Sequence, residues 1–472
     1  MKICLIDPPA PFEVLTGNTA SMRPVVNIIP SLGLAYIAAV LEKNGYEVKI
    51  IDCSLGISHI HLVGLLKKEK PDIIGITGTT PVFASMKRVA EDVRRYFPST
   101  FVIVGGPHLT AMTEYTMKFE CFDVGVTGEG EITFLELVRE IEKKDMARLN
   151  NIDGIVYRKD GHVSRTKQRV FIQNLDNLPF PARHLQFPLS AYKPTPASYK
   201  RLPLGVMITS RGCPSKCTFC DRAVFGSTYR ERSAGNVIEE IEELVYKNGA
   251  QEIRFFDDTF TFNKQRVFEI CAKLKERRIK IPWTCLTRVT DISEDMFKTM
   301  REAGCWQVLF GLESGDDRML KLLKKGNTVE QNKKAVYAAK KAGLSVRADF
   351  IVGTPGETLE SLKHTLEFAI KLKVDYAHFN KFVPLPGTEL YKILAQQGYK
   401  LDFEKNLSIL DHSSIFYVPA LMSKEDFKQF LDYANKAFYL RPSYILKRLL
   451  SLRSLTELKG QINGFFAIYN LN

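Results

Sequence analysis

Three cysteines, Cys213, Cys217 and Cys220, stand at spacing C-x3-C-x2-C within Arg211-Gly212-Cys213-Pro214-Ser215-Lys216-Cys217-Thr218-Phe219-Cys220. The loop directly follows an apolar run, Leu204 to Ile208, that reads as a strand. Thiolates placed so closely in a short loop can wrap one metal centre. Their number is informative. A structural zinc site is closed by four ligands, whereas an iron–sulfur cluster held by three thiolates keeps one iron open to a further ligand. The triplet alone also admits a zinc site with a remote fourth ligand, such as Cys285 or His184.

The residues downstream bear on that choice. From 204 to 395 short apolar runs alternate with helical patterns about six times, the later runs being Glu252–Phe256, Trp283–Thr287, Gln307–Gly311, Val346–Val352 and Tyr376–Val383. Repeated βα units predict a barrel or partial barrel of parallel strands with its site at the carboxyl ends. Polar residues fall at those ends: Asp257 and Asp258, Arg288, Glu313, the turn beginning at Gly353, and Pro384 to Glu389.

A cysteine triplet with an aromatic residue before its last member, followed by these strand ends in this order, resembles the radical S-adenosylmethionine (SAM) enzymes. The resemblance implies that Cys213, Cys217 and Cys220 hold a four-iron four-sulfur cluster as metal ligands and catalytic residues. The open iron would chelate the amino and carboxylate groups of SAM, and the reduced cluster would cleave it to a 5′-deoxyadenosyl radical. The SAM contacts it implies are Phe219, Asp257 and Asp258 toward the ammonium, Arg288 toward the carboxylate, Glu313 toward ribose or ammonium, and Gly353 in the adenine-contacting stretch.

Residues 1–145 read as a doubly wound parallel sheet, with runs at Lys2–Ile6, Val48–Ile51, Ile73–Thr77 and Val102–Val104 and a helix from Ser31 to Lys43. Ligands of such sheets bind outside the strands' carboxyl ends, where glycines admit close approach. Here those ends carry Gly78-Thr79-Thr80, Gly105-Gly106-Pro107-His108 and Gly128-Glu129-Gly130-Glu131. Their order is similar to the cobalamin-binding domain that precedes many radical SAM domains. The resemblance implies corrin contacts from Thr77, Thr79, Thr80, Gly105, Gly106, Pro107, His108, Gly128, Glu129, Gly130 and Glu131. The D-x-H-x-x-G motif, whose histidine ligates cobalt, is absent: two prolines follow Asp7, and neither His59 nor His61 stands in that context. A Rossmann-like domain for another nucleotide is the alternative reading of this third of the chain.

Residues 146–203 read as a proline-rich linker with a hairpin at Asp160-Gly161, and 396–472 as a small, mainly helical region with a helix starting near Ser423. The fold class expected is therefore α/β: a Rossmann-like domain, a partial (β/α)6 barrel and a helical tail. At 472 residues the chain exceeds a single core. Pro24 to Leu41 lacks charge but carries helical spacing and reads as a buried helix, not a membrane span. Nine cysteines without a disulfide-like framework, and no N-terminal signal, predict a cytoplasmic protein.

The net charge of +13 is concentrated in residues 151–400, with 41 Lys and Arg against 28 Asp and Glu. An anionic substrate or an acidic flavodoxin- or ferredoxin-like electron donor fits that surplus. No nucleic-acid module is recognisable. The last stretch, from Lys436, interleaves basic and apolar residues, which admits peripheral contact with the inner face of a membrane or packing on the protein itself. The whole pattern resembles the cobalamin-binding radical SAM group that includes the anaerobic magnesium-protoporphyrin ester cyclase and several carbon methylases. It implies methyl transfer to an unactivated carbon of a small-molecule or lipid substrate, with oxidative cyclisation as alternative and a non-catalytic corrinoid or iron–sulfur sensor as a third reading.

Overall fold

The structure, a computed structural model, describes residues 1–9, 27–144, 146–404, 414–450 and 455–469. Part of the uncharged stretch (24–26) and parts of the basic tail (451–454 and 470–472) lie outside the described residues.

The first sheet comprises β1 (Lys2–Asp7), β2 (Glu47–Asp52), β3 (Ile73–Thr77), β4 (Phe101–Gly105), β5 (Val124–Val126), β6 (Ile155–Lys159) and β7 (His162–Arg165). Their order is β2-β1-β3-β4-β5-β6-β7, the first five parallel and the last two antiparallel. Strands buried on both faces read as continuous apolar runs, as Ile73–Thr77 does. One face packs on helices Leu32–Lys43 and Gly130–Glu142, the other on His59–Glu69 and Phe83–Tyr96. The hairpin expected within a linker is thus part of this sheet, because Val126 and Ile155 pair across the edge.

The chain then passes through segment 166–203, which touches both halves. Ala182 N donates to Ala35 O at 2.9 Å, while Arg183 pairs with the buried Glu240. The second sheet follows: β8 (Leu204–Met207), then β11 (Glu252–Phe255), β12 (Trp283–Thr287), β13 (Cys305–Glu313), β14 (Ser345–Val352) and β15 (Tyr376–Lys381), with a small ribbon of β9 (Ser210–Arg211) and β10 (Arg230–Glu231) between. All six are parallel and neighbour one another in chain order, which is a six-strand partial barrel.

The outer layer is not finished by residue 395. Helix Lys424–Tyr439, capped by Ser423, sends Phe427, Phe430, Leu431 and Phe438 into the barrel's main core. In the basic tail Tyr444 is buried, Lys447 pairs with Asp375 at 2.8 Å, and Leu446, Leu449 and Leu450 are exposed. Among the described residues no helix is long and apolar enough to cross a membrane.

Candidate cluster and corrin site

The carboxyl ends of the two sheets face one another across a cavity of about 640 Å³. From the N-terminal domain it is lined by Thr77, Thr79, Thr80, Gly105, Gly106, Pro107 and Gly128 to Glu131. Glycine is required at Gly106, with φ +89, where an added Cβ would collide with the Thr77 hydroxyl. The backbone can therefore approach a large flat ligand there. Of the predicted loop residues, His108 is the one the structure turns away. It follows Pro107 into a short helix and its ring stacks on Phe83, centroids 4.1 Å apart, with Nδ1 3.1 Å from the Thr80 hydroxyl. Burial lowers its pKa to about 4, and among the described residues no histidine lines the cavity.

Glu129 and Glu131 line the cavity, but their carboxylates are engaged. Arg211 donates to Glu129 at 2.9 Å and to Glu131 at 2.6 Å. Arg230 donates to both oxygens of Glu129 at 2.9 Å, and Ile172 N adds a further bond at 2.7 Å. These four side chains are nearly sealed from solvent. Burial pulls the Arg211 pKa down, yet the carboxylates of Glu131 and Glu129 drive it above the ordinary range. The guanidinium also lies between the rings of Tyr36 and Phe225, at 5.2 and 5.1 Å. The residue that opens the cysteine loop is thereby clamped to the N-terminal domain.

The loop itself is pinned to the barrel, with Thr218 N donating to Leu323 O and Leu390 N to Thr218 O. Cys217 is buried, Cys213 half-buried and Cys220 exposed. Among the described residues no three ligating side chains converge on one metal ion. A cubane can be held by such a loop, because each thiolate binds a different iron corner. The zinc alternative loses its fourth ligand: Cys285 is buried against Cys305 in the helix-covered core, and His184 pairs with Glu42 on the surface. Arg288 Nη1 lies 3.7 Å from Cys217 Sγ and Nη2 donates to Lys325 O.

Lys325 in turn bonds Glu313 at 2.7 Å, and its ammonium sits 5.8 Å from the Phe219 ring. A bulge between Gly311 and Glu313, with φ +63 at Glu313, aims this carboxylate at the end of β13. The two aspartates part company. Asp257 accepts from Thr209 N at 2.6 Å, the Thr209 and Ser210 hydroxyls and Arg266, so it holds β8 to β11 and stays out of the cavity. Asp258 projects into the cavity. Gly353, at φ +85, lies under the Phe427 ring, and Glu357 accepts from Gly353 N at 2.6 Å and Thr354 N at 2.9 Å. Asp7, Tyr36, Arg222 and Phe225 also line the cavity and were not anticipated; only Asp7, at the carboxyl end of a strand, carried a signal.

Two family models match the chain. The radical SAM superfamily model matches residues 207–369 and the B12 binding domain model residues 19–138. An uncharacterized methyltransferase of Pyrococcus horikoshii is 37% identical over 99% of both chains. The anaerobic magnesium-protoporphyrin IX monomethyl ester cyclase of Rubrivivax gelatinosus is 32% identical over 80% of this chain and 68% of its own. The radical SAM methyltransferase TsrM of Kitasatospora setae, solved with cobalamin and a [4Fe-4S] cluster, superposes with a TM-score of 0.71 over 99% of this chain and 98% of its own at 16% identity, a likeness of fold. The chain belongs to the radical SAM methyltransferases that carry a B12-binding domain, enzymes working with a four-iron four-sulfur cluster, SAM and cobalamin.

Proposed function

We propose that this chain transfers a methyl group from SAM, by way of cobalamin, to an unactivated carbon of a small-molecule substrate. The observation that carries the reading is one cavity walled by both domains, with Thr79 and Gly106 on one side and Arg222, Phe225 and Asp258 on the other. Cluster, SAM and corrin supply radical formation and methyl donation when bound; the protein supplies placement and dryness.

Cys213, Cys217 and Cys220 hold the cluster. Arg288 supports the Cys217 thiolate by charge-assisted hydrogen bonding. Asp258 accepts from the SAM ammonium, and Glu313, braced by Lys325, accepts from the ribose. Phe219 and the Gly353 turn flank the adenosine. Thr77, Thr79, Gly105, Gly106 and Gly128 cradle the corrin. Glu129 and Glu131 act through Arg211, fixing the separation of the two ligand loops. Reduction comes from a flavodoxin- or ferredoxin-like donor in a reducing cytoplasm, drawn by the basic surplus of 151–400.

The test uses reduced, reconstituted holoenzyme. With SAM and no substrate it should form about one S-adenosylhomocysteine per bound corrin. With substrate, S-adenosylhomocysteine and 5′-deoxyadenosine should rise together, since each turnover uses SAM twice. A ring-closing enzyme would give deoxyadenosine with little S-adenosylhomocysteine, and that result would overturn methyl transfer.

A further inference from the structure

The concave face of the barrel sheet carries charges that neither cluster nor corrin explains. Strand alternation selects them. Ile253 and Phe255 of β11, Val346, Ala348 and Phe350 of β14, and Ala377 and Phe379 of β15 all pack outward into the helix-covered core. Their neighbours Arg254, Arg347, Asp349 and His378 therefore point into the hollow. Two strands separate β11 from β14, yet after burial the charges that act on Arg254 are Arg347 and Asp349, followed by its near neighbour Glu252. The curvature of the sheet has brought opposite walls together.

Within this group the pairing is lopsided. Arg347 binds Asp349 through Nε at 3.1 Å and Nη2 at 3.2 Å, and His378 Nδ1 lies 3.2 Å from the same carboxylate. Arg254 is 9% exposed and, among the described residues, donates to no carboxylate, carbonyl or hydroxyl. Its guanidinium rests 4.6 Å over the Phe256 ring. Burial and the like charge of Arg347 lower its pKa to about 10. Glu252, two residues earlier, is committed to the floor: it accepts from Lys200 N, Arg201 N and Trp306 Nε1, each at 2.8 Å, and burial pushes it up to about 7. Two guanidiniums thus face the hollow against the Asp349 carboxylate, with Glu252 raised and already held by three donors. A buried, unpaired charge destabilises the fold that carries it, and a ligand of opposite sign removes the penalty.

We infer that the barrel lumen contains an anion-binding subsite, with Arg254 and Arg347 as its donors, that receives the carboxylate or phosphate group of the substrate. This rests on the proposed reading that the barrel is catalytic. Arg254 stands three residues before Asp257, so the anion sits about 10 Å below the strand ends where SAM binds. The carbon to be methylated is therefore roughly that far from the charged group, and the substrate is an extended acid, not a compact one. The segment 196–201 and helix Leu455–Tyr469, which touch, lie by the amino ends of β11 and β15, where Lys200 N and Arg201 N bond Glu252 and Gln461 bonds Tyr376.

The test is equilibrium dialysis of anaerobically reconstituted full-length protein, loaded with SAM and cobalamin, against labelled inorganic phosphate and separately labelled hexanoate. One of the probes should saturate a single site at millimolar concentration, and which one does so identifies the group. Arg254→Gln should abolish that site, and Arg254→Lys should weaken it about tenfold by losing the planar fork. Arg277→Gln, at a position 58% exposed, should leave it intact. Without ligand, Arg254→Gln should also raise Tm by about 2 °C or more, because it removes an unpaired charge. The inference is overturned if neither probe saturates below about 50 mM, if binding survives both Arg254→Gln and Arg347→Gln, or if Arg254→Gln lowers Tm. Because binding is read without turnover, failure of methyl transfer with anion binding intact would sink the proposed reaction alone.

Discussion

Replacing Glu129 by glutamine keeps the side chain's shape and removes one charge from the clamp between the domains. In the native clamp two arginines face two carboxylates, with side-chain exposures of 3–6%. The variant leaves a net positive charge in that closed space and weakens the bonds from Arg211, Arg230 and Ile172 N. Stranding a buried charge costs about 3–5 kcal/mol. For a domain of this size each kcal/mol lowers Tm by about 2–4 °C, so a fall of about 6–20 °C is expected. Fluorescence reads it on the barrel alone, since both tryptophans, Trp283 and Trp306, lie there. Glu389→Gln is the control. Its pair with Lys324 is about half exposed, so the loss should stay within about 1 kcal/mol. Adding Arg230→Met to Glu129→Gln should recover part of the loss by removing the stranded charge. The reasoning is refuted if Glu129→Gln costs no more than Glu389→Gln, or if the double variant is no more stable than the single one.

Cys217→Ala should eliminate the roughly four irons taken up on anaerobic reconstitution and their charge-transfer absorption; stoichiometric zinc in the parent protein would refute the cluster. Electron paramagnetic resonance of the Co(II) form should show no nitrogen splitting from a protein ligand, and His108→Phe should leave the spectrum unchanged, because that ring packs behind the cavity. Glu313→Ala should cut 5′-deoxyadenosine formation at least tenfold while cobalamin binding persists; equal SAM cleavage would remove β13 from the SAM site. Burial and Asp52 raise Asp7 from 3.8 to about 7. Ionising it costs the fold nothing below about pH 4 and up to about 4 kcal/mol above pH 7. Asp7→Asn should therefore stabilise the cofactor-free protein at about pH 8 and not at about pH 4, as denaturant titrations at the two pH values would show.

The strands and the loops at their carboxyl ends were readable because parallel strands covered on both faces are apolar runs, and the polar residues after them stand out. Pairing was not readable. Glu129 and Arg211 are 82 residues apart, and nothing local marks the first as the partner of the arginine that opens the cysteine loop. The same holds for Asp257, which looks like Asp258 in sequence and differs only in having Thr209, Ser210 and Arg266 around it. His108 was misplaced by one helical step, since Pro107 faces the cavity and the next residue does not. Helix Lys424–Tyr439 reads as a tail in sequence, yet its phenylalanines enter the barrel core, one of them against Gly353.

The position of the shared cavity has a consequence for the corrin. It lies over the β8, β11 and β15 side of the barrel mouth, so a corrin seated there would roof that part of the barrel. At the floor the 196–201 segment and the last helix bond Glu252 and Tyr376. The flanks where the arc ends are covered too: Arg183 donates to Val206 O of β8, and the Tyr439 hydroxyl bonds Ala377 N and O of β15. On the proposed function, a corrin walled by both domains would therefore stay in the protein from one methyl transfer to the next, as part of the building.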